Sequence, residues 1–476
     1  MYLLLTTKEW LGGLRTYALP AVLLSLLVLL GIAFAGTHSR SEQISRNRSA
    51  ANAHFRQQWE QLKTSDPHSA AHFGTYLFKP VMLLSNFDSG LETVTGTSMR
   101  IEAHVQHTMA APVLRPADIY TRFGSLTIAS VLQLFFPLFI IFSCYNSYTQ
   151  EKTNGTLRLL LIQGATQSVI LKSKTKYYLI AVNIMLLASL LIYLPALLFS
   201  GTTTTTTDQT TLLSILCLII AYSSYCSIFV MIAIAISAIA KNARQSLLLL
   251  TGCWLIWNIL LPRLGAGIAG ELHPLPSQYQ QQEKMEKAIK MGIDGRSSRE
   301  ERIQQLTDAT LKQYHVKSAD QLPVNLHAIL LQSSEDYAQM VYDIYTAKTD
   351  SIITLQNRYS NYLALVDPYL AIRNLSMALC GTDYLHQQQL DRAARQYRND
   401  FIRRLNNELA YGGSKTNDSH WKVNASFYSS IPPFHYKPPA LIQVLASQWM
   451  MIAALLLWLA ISICLLQIIA RHAGIE

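Results

Sequence analysis

Residues 438–470 read PPALIQVLASQWMMIAALLLWLAISICLLQIIA, 33 residues without an Asp, Glu, Lys or Arg. A helix needs roughly 20 mainly apolar residues to cross a bilayer, because only a helix or closed barrel satisfies its own backbone hydrogen bonds there. Five other intervals are equally free of charge: 16–39, 123–150, 177–207, 209–240 and 245–262. Each holds a strongly apolar run, such as LPAVLLSLLVLLGIAFA (19–35) or LQLFFPLFIIFS (132–143). The expected fold is mainly α, a six-helix transmembrane bundle with spans at 16–36, 122–145, 177–200, 212–240, 246–262 and 441–470. The fifth is the shortest, and a buried soluble helix is its alternative reading.

Only 14% of the 476 residues are charged, against the ~25% usual for soluble domains. That disfavours both a disordered chain and an ordinary soluble enzyme. Lys and Arg exceed Asp and Glu by 39 to 29, an excess that can signal nucleic acid. Its placement argues for a membrane instead, and no nucleic-acid partner is expected. Segment 146–176 carries Lys152, Arg158, Lys172, Lys174 and Lys176 against the single acid Glu151, and 241–245 carries Lys241 and Arg244. The turn GTTTTTTDQTT (201–211) has neither Lys nor Arg. Short basic loops stay in the cytoplasm. Both termini, 1–15 and 471–476, are therefore expected inside a multi-pass protein of the inner (cytoplasmic) membrane. Segments 37–121 and 263–440 fall outside, and long segments translocate largely regardless of charge. Ala33-Phe34-Ala35 after an apolar core also resembles a signal cleavage site, but that core is longer than a signal needs, so an uncleaved anchor is the favoured reading. Cys380 is the one cysteine in an external segment, which excludes a disulfide framework there.

Apolar spacing predicts helices at 279–291, 298–315, 333–364 and 384–410, the last stopped by Gly412-Gly413, with a new element starting at Asp367-Pro368. A helix at 41–63 and a β-prone stretch at 74–96 complete a mostly helical extracytoplasmic domain with minor β. The Thr run 202–207 reads as a solvated loop.

The charge-free intervals hold no Asp, Glu, Lys or Arg, and their only His is His38 at an outer edge, so energy for transport is expected from outside the chain. The chain also has no G-x-x-x-x-G-K-[ST], H-E-x-x-H or G-x-S-x-G pattern. It is not expected to be an enzyme, and nucleotide hydrolysis would need a separate subunit. A docking place for one lies after the second span: Tyr148-Thr-Gln-Glu151-Lys152-Thr-Asn-Gly155-Thr156-Leu157-Arg158-Leu-Leu-Leu161-Ile162, then Gln163-Gly164-Ala165-Thr166 and LKSKTK (171–176). On one helix, Leu157, Leu160 and Leu161 would share a face while Glu151, Gly155 and Arg158 share another, a pattern suited to the membrane surface. A plain interfacial loop is the alternative.

Glu151-Lys152-x-x-Gly155-Thr156-Leu157-x-x-Leu160-Leu161 resembles the motif of permease subunits in the type-2 export group of ATP-binding-cassette (ABC) transporters. Lys8-Glu9-Trp10 and Arg15 resemble the amphipathic N-terminal helix of the same permeases. The long insertions resemble a subgroup in which stretches like Phe73-Gly74-x-Tyr76-x-Phe78-Lys79-Pro80, Ile101-Glu102-Ala103-His104 and Gly381-Thr382-Asp383-Tyr384 recur. The resemblance implies that Glu151, Lys152, Gly155, Thr156, Leu157 and Arg158 form a coupling helix. Gly155 would allow close approach to an ABC ATP-binding subunit, with Glu151 and Arg158 at the rim. It implies no cofactor in this chain, with ATP and Mg on the partner, and a second permease copy or a related permease beside it. It also implies contact with membrane lipid and export or extraction of an amphipathic peptide, lipid or lipopeptide. Two rivals stay open: an ATP-driven lever acting on an envelope partner through the external domain, and a membrane-anchored binding or signalling protein.

Other candidates have plainer readings. His104 and His107 are three apart and on a helix could share a face and bind a metal with His68, His72 or Glu92, but ordinary hydrogen-bonded histidines are the favoured reading, as for His386 near Asp383 and Asp391. No metal site is therefore assigned. Gln133, Asn183 and Asn258 read equally well as interhelical bonds or as a substrate path, and Pro20, Pro137, Pro195 and Pro262 are expected to curve the spans or hinge them. The tyrosines of the external helices, Tyr337 and Tyr342 among them, are expected to pack their own domain.

Overall fold

A computed structural model describes residues 1–15, 18–62, 64–109, 126–199, 209–416, 418 and 421–472. The Thr run 202–207, the start of the second expected span at 122–125 and the end of the tail at 473–476 lie outside the described residues. The protein is mainly helical with minor β. Six helical stretches are long and apolar enough to cross a membrane: Pro20–Glu60, Ile128–Thr153, Gln167–Leu191, Thr210–Ile239, Ala243–Leu272 and Trp449–Arg471. The chain is a multi-pass membrane protein, and the fifth span is real as a helix. Below, the end of the bundle carrying 1–15 and 149–176 is the basic end, and the end carrying 37–109 and 273–440 is the insert end.

The second and fourth spans are the most enclosed; the fourth buries Tyr222, Tyr225, Cys226, Ile228, Val230 and Ala233, and the sixth and third lie along it. Two spans contain wide helical turns, at Val131–Phe135 and Ile256–Leu260, each just before a proline, Pro137 and Pro262. Proline has no N–H to donate and its ring crowds the carbonyl a turn back, so a widened turn accommodates it without ending the helix. Gln133 and Asn258 sit inside these turns, and Tyr225 on the fourth span joins them. Its hydroxyl donates to the Gln133 carbonyl at 2.9 Å and lies 3.4 Å from Asn258 Oδ1. Gln133 Nε2 donates to Tyr222 Oη at 2.8 Å, and Ser223 Oγ to Asn183 Oδ1 at 2.5 Å. Each of these three amides thus bonds to a neighbouring helix.

Several boundaries differ from expectation. The first span does not end at 36: one helix runs from Ala18 to Glu60 and absorbs the helix expected at 41–63. Its hydropathy falls on leaving the apolar zone, but Ser, Arg, Glu, Ala and Gln continue a helix readily, and no Pro interrupts it. At 1.5 Å per residue, its 43 residues span about 65 Å, twice a bilayer core. The fifth continues past Pro262 to Leu272. The last stretch breaks into Leu441–Ser447 and Trp449–His472.

The two inserts share one core. Strands Thr75–Phe78 and Ser98–Ile101 pair antiparallel within the first, and Thr64–Ser65 pairs with Val423–Asn424 of the second. Trp59, Leu77 and Ile101 pack with Leu390, Phe401 and Tyr428. The long helices Leu326–Leu363 and Tyr384–Tyr411 frame this domain, and Gly412 ends the latter as expected. The helix Pro368–Leu379 between them buries Leu370, Ile372 and Leu375 against the fourth and sixth spans, capping the bundle.

Candidate functional site

The predicted coupling segment is two short helices, Thr149–Thr153 and Thr156–Ile162, joined at Gly155. Gly155 has φ +74°, the left-handed region that costs a side-chain-bearing residue most, so the chain needs glycine there to turn the corner. A single helix over 151–162 is thus corrected to an elbow. A Cβ at Gly155 would meet nothing within 4 Å, so within this chain its role is conformational.

The first arm is locked to the bundle. Backbone N–H groups at the start of a helix lack partners within it. Here Ser237 Oγ of the fourth span accepts from Tyr148 N at 3.0 Å and Thr149 N at 3.3 Å. Lys152 Nζ donates to the Ala238 carbonyl at 2.6 Å, placing a cation at the C-terminal end of that span, where the helix dipole favours it. Glu151 does not lie at a rim. Its carboxylate accepts from Lys8 Nζ at 2.8 Å and Lys174 Nζ at 3.3 Å, and the Thr156 hydroxyl across the corner bonds to its other oxygen. Lys174, only 3% exposed, also donates to Glu9 Oε1 at 2.8 Å. One carboxylate therefore ties the elbow to the N-terminal helix Tyr2–Arg15 and to the third span's helix Gln167–Phe199, on which Lys174 sits about two turns in. Trp10 meets Tyr177 edge-on at 5.0 Å, and Gly13 lies so close to the Tyr177 hydroxyl that any side chain would clash.

The second arm has two faces. Leu157 and Leu160 pack against the bundle core, whereas Leu161 turns largely outward, against expectation. Leu159 and Ile162 are 60% and 82% exposed, and Arg158 is exposed beside them. Of the predicted residues, the structure brings Glu151, Lys152 and Thr156 into bonds holding the elbow and leaves Arg158 on its open face. Sequence reasoning missed the roles of Lys174, Ser237, Leu159 and Ile162. Only the unlike charges at 8–9, 151 and 174 hinted at the first of these.

Two further features face the insert end. Asp88, from the first insert, is buried with Ser376 of the capping helix donating to its Oδ2 at 2.6 Å, and Ser376 Oγ lies 3.0 Å from Tyr222 Oη. Burial pushes the Asp88 carboxyl above its ordinary range, partly offset by the Ser376 hydroxyl. The fold thus lays an acid of the first insert against the fourth span. Separately, a cavity of about 350 Å³ in the insert domain is lined by Phe55, Trp59, Tyr76, Tyr397, Phe401 and Phe434.

Residues 278–437 match a family described as a domain of unknown function (DUF3526), which covers most of the second insert. Residues 81–283 match one described as a protein of unknown function (DUF2705), which runs from the first insert through the second to fifth spans. No curated protein matches the chain.

Proposed function

We propose that this chain is the membrane permease subunit of an ATP-driven ABC exporter, coupled to a separate nucleotide-binding subunit through the elbow at 149–162. The observation that carries the reading is the Glu151 junction. A projecting tip with exposed Leu159 and Ile162 is fastened, through one carboxylate and Ser237, to the N-terminal helix and to the third and fourth spans. Force on that tip would reach three elements at once, as a coupling element requires. On this reading the basic end is cytoplasmic, the insert domain is extracytoplasmic, and ATP and Mg belong to the partner. An amphipathic cargo is supported by a cavity of about 700 Å³ at the basic end, where Lys172, Lys176 and Arg471 meet Leu179, Ile463 and Leu466. Such a wall suits a molecule with an anionic head and apolar chains.

A second reading, an ATP-driven lever working on an envelope partner, is favoured by the unbroken helix Ala18–Glu60, a rod joining membrane to insert domain. Both readings need the elbow. Reconstituted with a candidate ATP-binding partner sought among the products of neighbouring genes, the permease should stimulate ATP hydrolysis. Leu159→Asp with Ile162→Asp should reduce that stimulation at least about tenfold while expression and membrane insertion persist. Full stimulation in the double variant removes the elbow from the mechanism. Cargo release from proteoliposomes then separates conduit from lever.

A further inference from the structure

Three imidazoles converge on the insert domain. The helix Pro67–Phe73 starts with Asp66 accepting from Ser69 N at 3.0 Å and Pro67 in its first turn, and it buries Ala70 and Ala71. That leaves His68 and His72, one turn apart, on the same side. His104 approaches from the loop after strand Ser98–Ile101, tied to the helix by Ala103 N donating to the Ala71 carbonyl at 3.0 Å. His104 has φ +64°, uncommon for a residue with a side chain. Glu335 of the long helix Leu326–Leu363 holds it there, accepting from its backbone N–H at 2.6 Å and bonding Nδ1 at 2.8 Å.

The ring centroids lie 4.7 Å apart for His68 and His72, 5.3 Å for His68 and His104, and 5.1 Å for His72 and His104. His68 Nε2 and His72 Nε2 are 3.2 Å apart, and one nitrogen from each of the three rings lies within 4.8 Å of the others. Nitrogens bound to zinc at about 2.0–2.1 Å in a tetrahedron are roughly 3.3 Å from one another. The first pair already has that spacing, and a small rotation of the half-exposed His104 ring brings in the third.

The surroundings match what a ligating histidine needs behind it. Such a ring usually gives its other N–H to a carboxylate or carbonyl, which fixes the tautomer. Glu335 takes Nδ1–H of His104 and leaves Nε2 for an ion. Arg398 Nη2 donates to Glu335 Oε2 at 2.9 Å, so the carboxylate behind His104 is itself held by a buried cation. The Asn406 side chain interacts with His68. Its Oδ1 and His68 Nδ1 are both buried without a hydrogen-bond partner among the described residues, and a small adjustment that paired them would free His68 Nε2 in the same way. His107 takes no part, because its Nε2 contacts Glu102 Oε1 at 2.6 Å.

We propose that His68, His72 and His104 bind one divalent transition-metal ion of the zinc class, with a fourth position open to water or to a ligand from a partner. Imidazole nitrogens suit zinc, copper, nickel and cobalt far better than magnesium or calcium. All three ligands come from the first insert, and Glu335 from the second, so the ion would stiffen the joint between the inserts. This inference stands whether or not the chain is a permease.

The test uses the full chain in detergent, purified without a histidine tag, stripped with chelator and titrated with cobalt(II) and zinc(II) chloride. One cobalt per chain with the visible band of a tetrahedral site is expected, displaced by zinc, together with a zinc-dependent rise in Tm. His72→Ala and His104→Ala should each weaken binding at least about tenfold and abolish the Tm rise, and Glu335→Gln should weaken it about 10–100-fold. His107→Ala should bind as the parent does. His72 is exposed, so its variant is expected to fold. Absence of saturable binding at micromolar metal overturns the proposal, as does binding that survives His72→Ala and His104→Ala.

Discussion

Glu151 shows how much one side chain can organise when its neighbours are chosen to surround it. Its carboxylate meets Lys8, Lys174 and Thr156, and Lys174, too buried to find water, would keep only Glu9 if that carboxylate were lost. Removing an acid shared by a buried cation strips part of that cation's compensation and costs more than removing an exposed partner. Glu151→Gln is therefore expected to destabilise the detergent-solubilised protein by about 2–4 kcal/mol, read as a drop in Tm. Lys8→Ala, whose side chain is 49% exposed, should cost less than about 1 kcal/mol. Equal costs would mean that the junction is not where the buried charge is compensated. The residue identities were legible in the sequence through the motif they resemble, but the direction of Glu151 was not. A charged residue in a basic loop reads the same whether it faces a partner or a lysine 23 positions on.

At the scale of elements, the spans were legible because hydrocarbon imposes a length and excludes charge, and both rules leave their mark on a linear sequence. Helix ends were less legible where nothing breaks the helix: Gly36 passes without a turn, and the widened turns carry the spans through Pro137 and Pro262. The elbow needed the φ of Gly155, which a helical wheel does not show. The helix Pro368–Leu379 was correctly expected to start at Asp367-Pro368, yet its packing on the spans was hidden, because its composition resembles that of any soluble amphipathic helix. Its N-cap gives a pH-dependent prediction. Asp367 Oδ1 accepts from Tyr369 N at 2.9 Å and Leu370 N at 3.4 Å, while burial, only partly offset by those bonds, pushes its carboxyl from 3.8 up to about 7. A raised pKa means that the folded form holds a proton the unfolded form releases. This contribution to stability is complete below pH 3.8 and is lost as pH rises towards about 7. Asp367→Asn keeps the Oδ1 acceptor and removes the titration. Relative to the parent, its Tm should be higher at pH 8 than at pH 5. A difference independent of pH would show that the group is ionised in the fold throughout.

The whole molecule joins two ends of opposite character. At the basic end, an elbow with an apolar tip is bonded into three elements. At the insert end, both inserts form one domain that is capped onto the fourth and sixth spans and carried on the long first helix. Asp88, Ser376 and Tyr222 bond across that junction, so movement of the fourth span has a polar path into the inserts as well as an apolar one. This layout suits a machine driven from one side and acting on the other, and the proposal rests on what grips the elbow. The most direct measurement places a photocrosslinking amino acid at position 162 in living cells and identifies the adduct by mass spectrometry. The account predicts a covalent adduct with a protein carrying the phosphate-binding G-x-x-x-x-G-K-[ST] loop, lost when that protein's gene is deleted. Crosslinking at 162 to lipid alone, or to a protein on the same side as the insert domain, would contradict it.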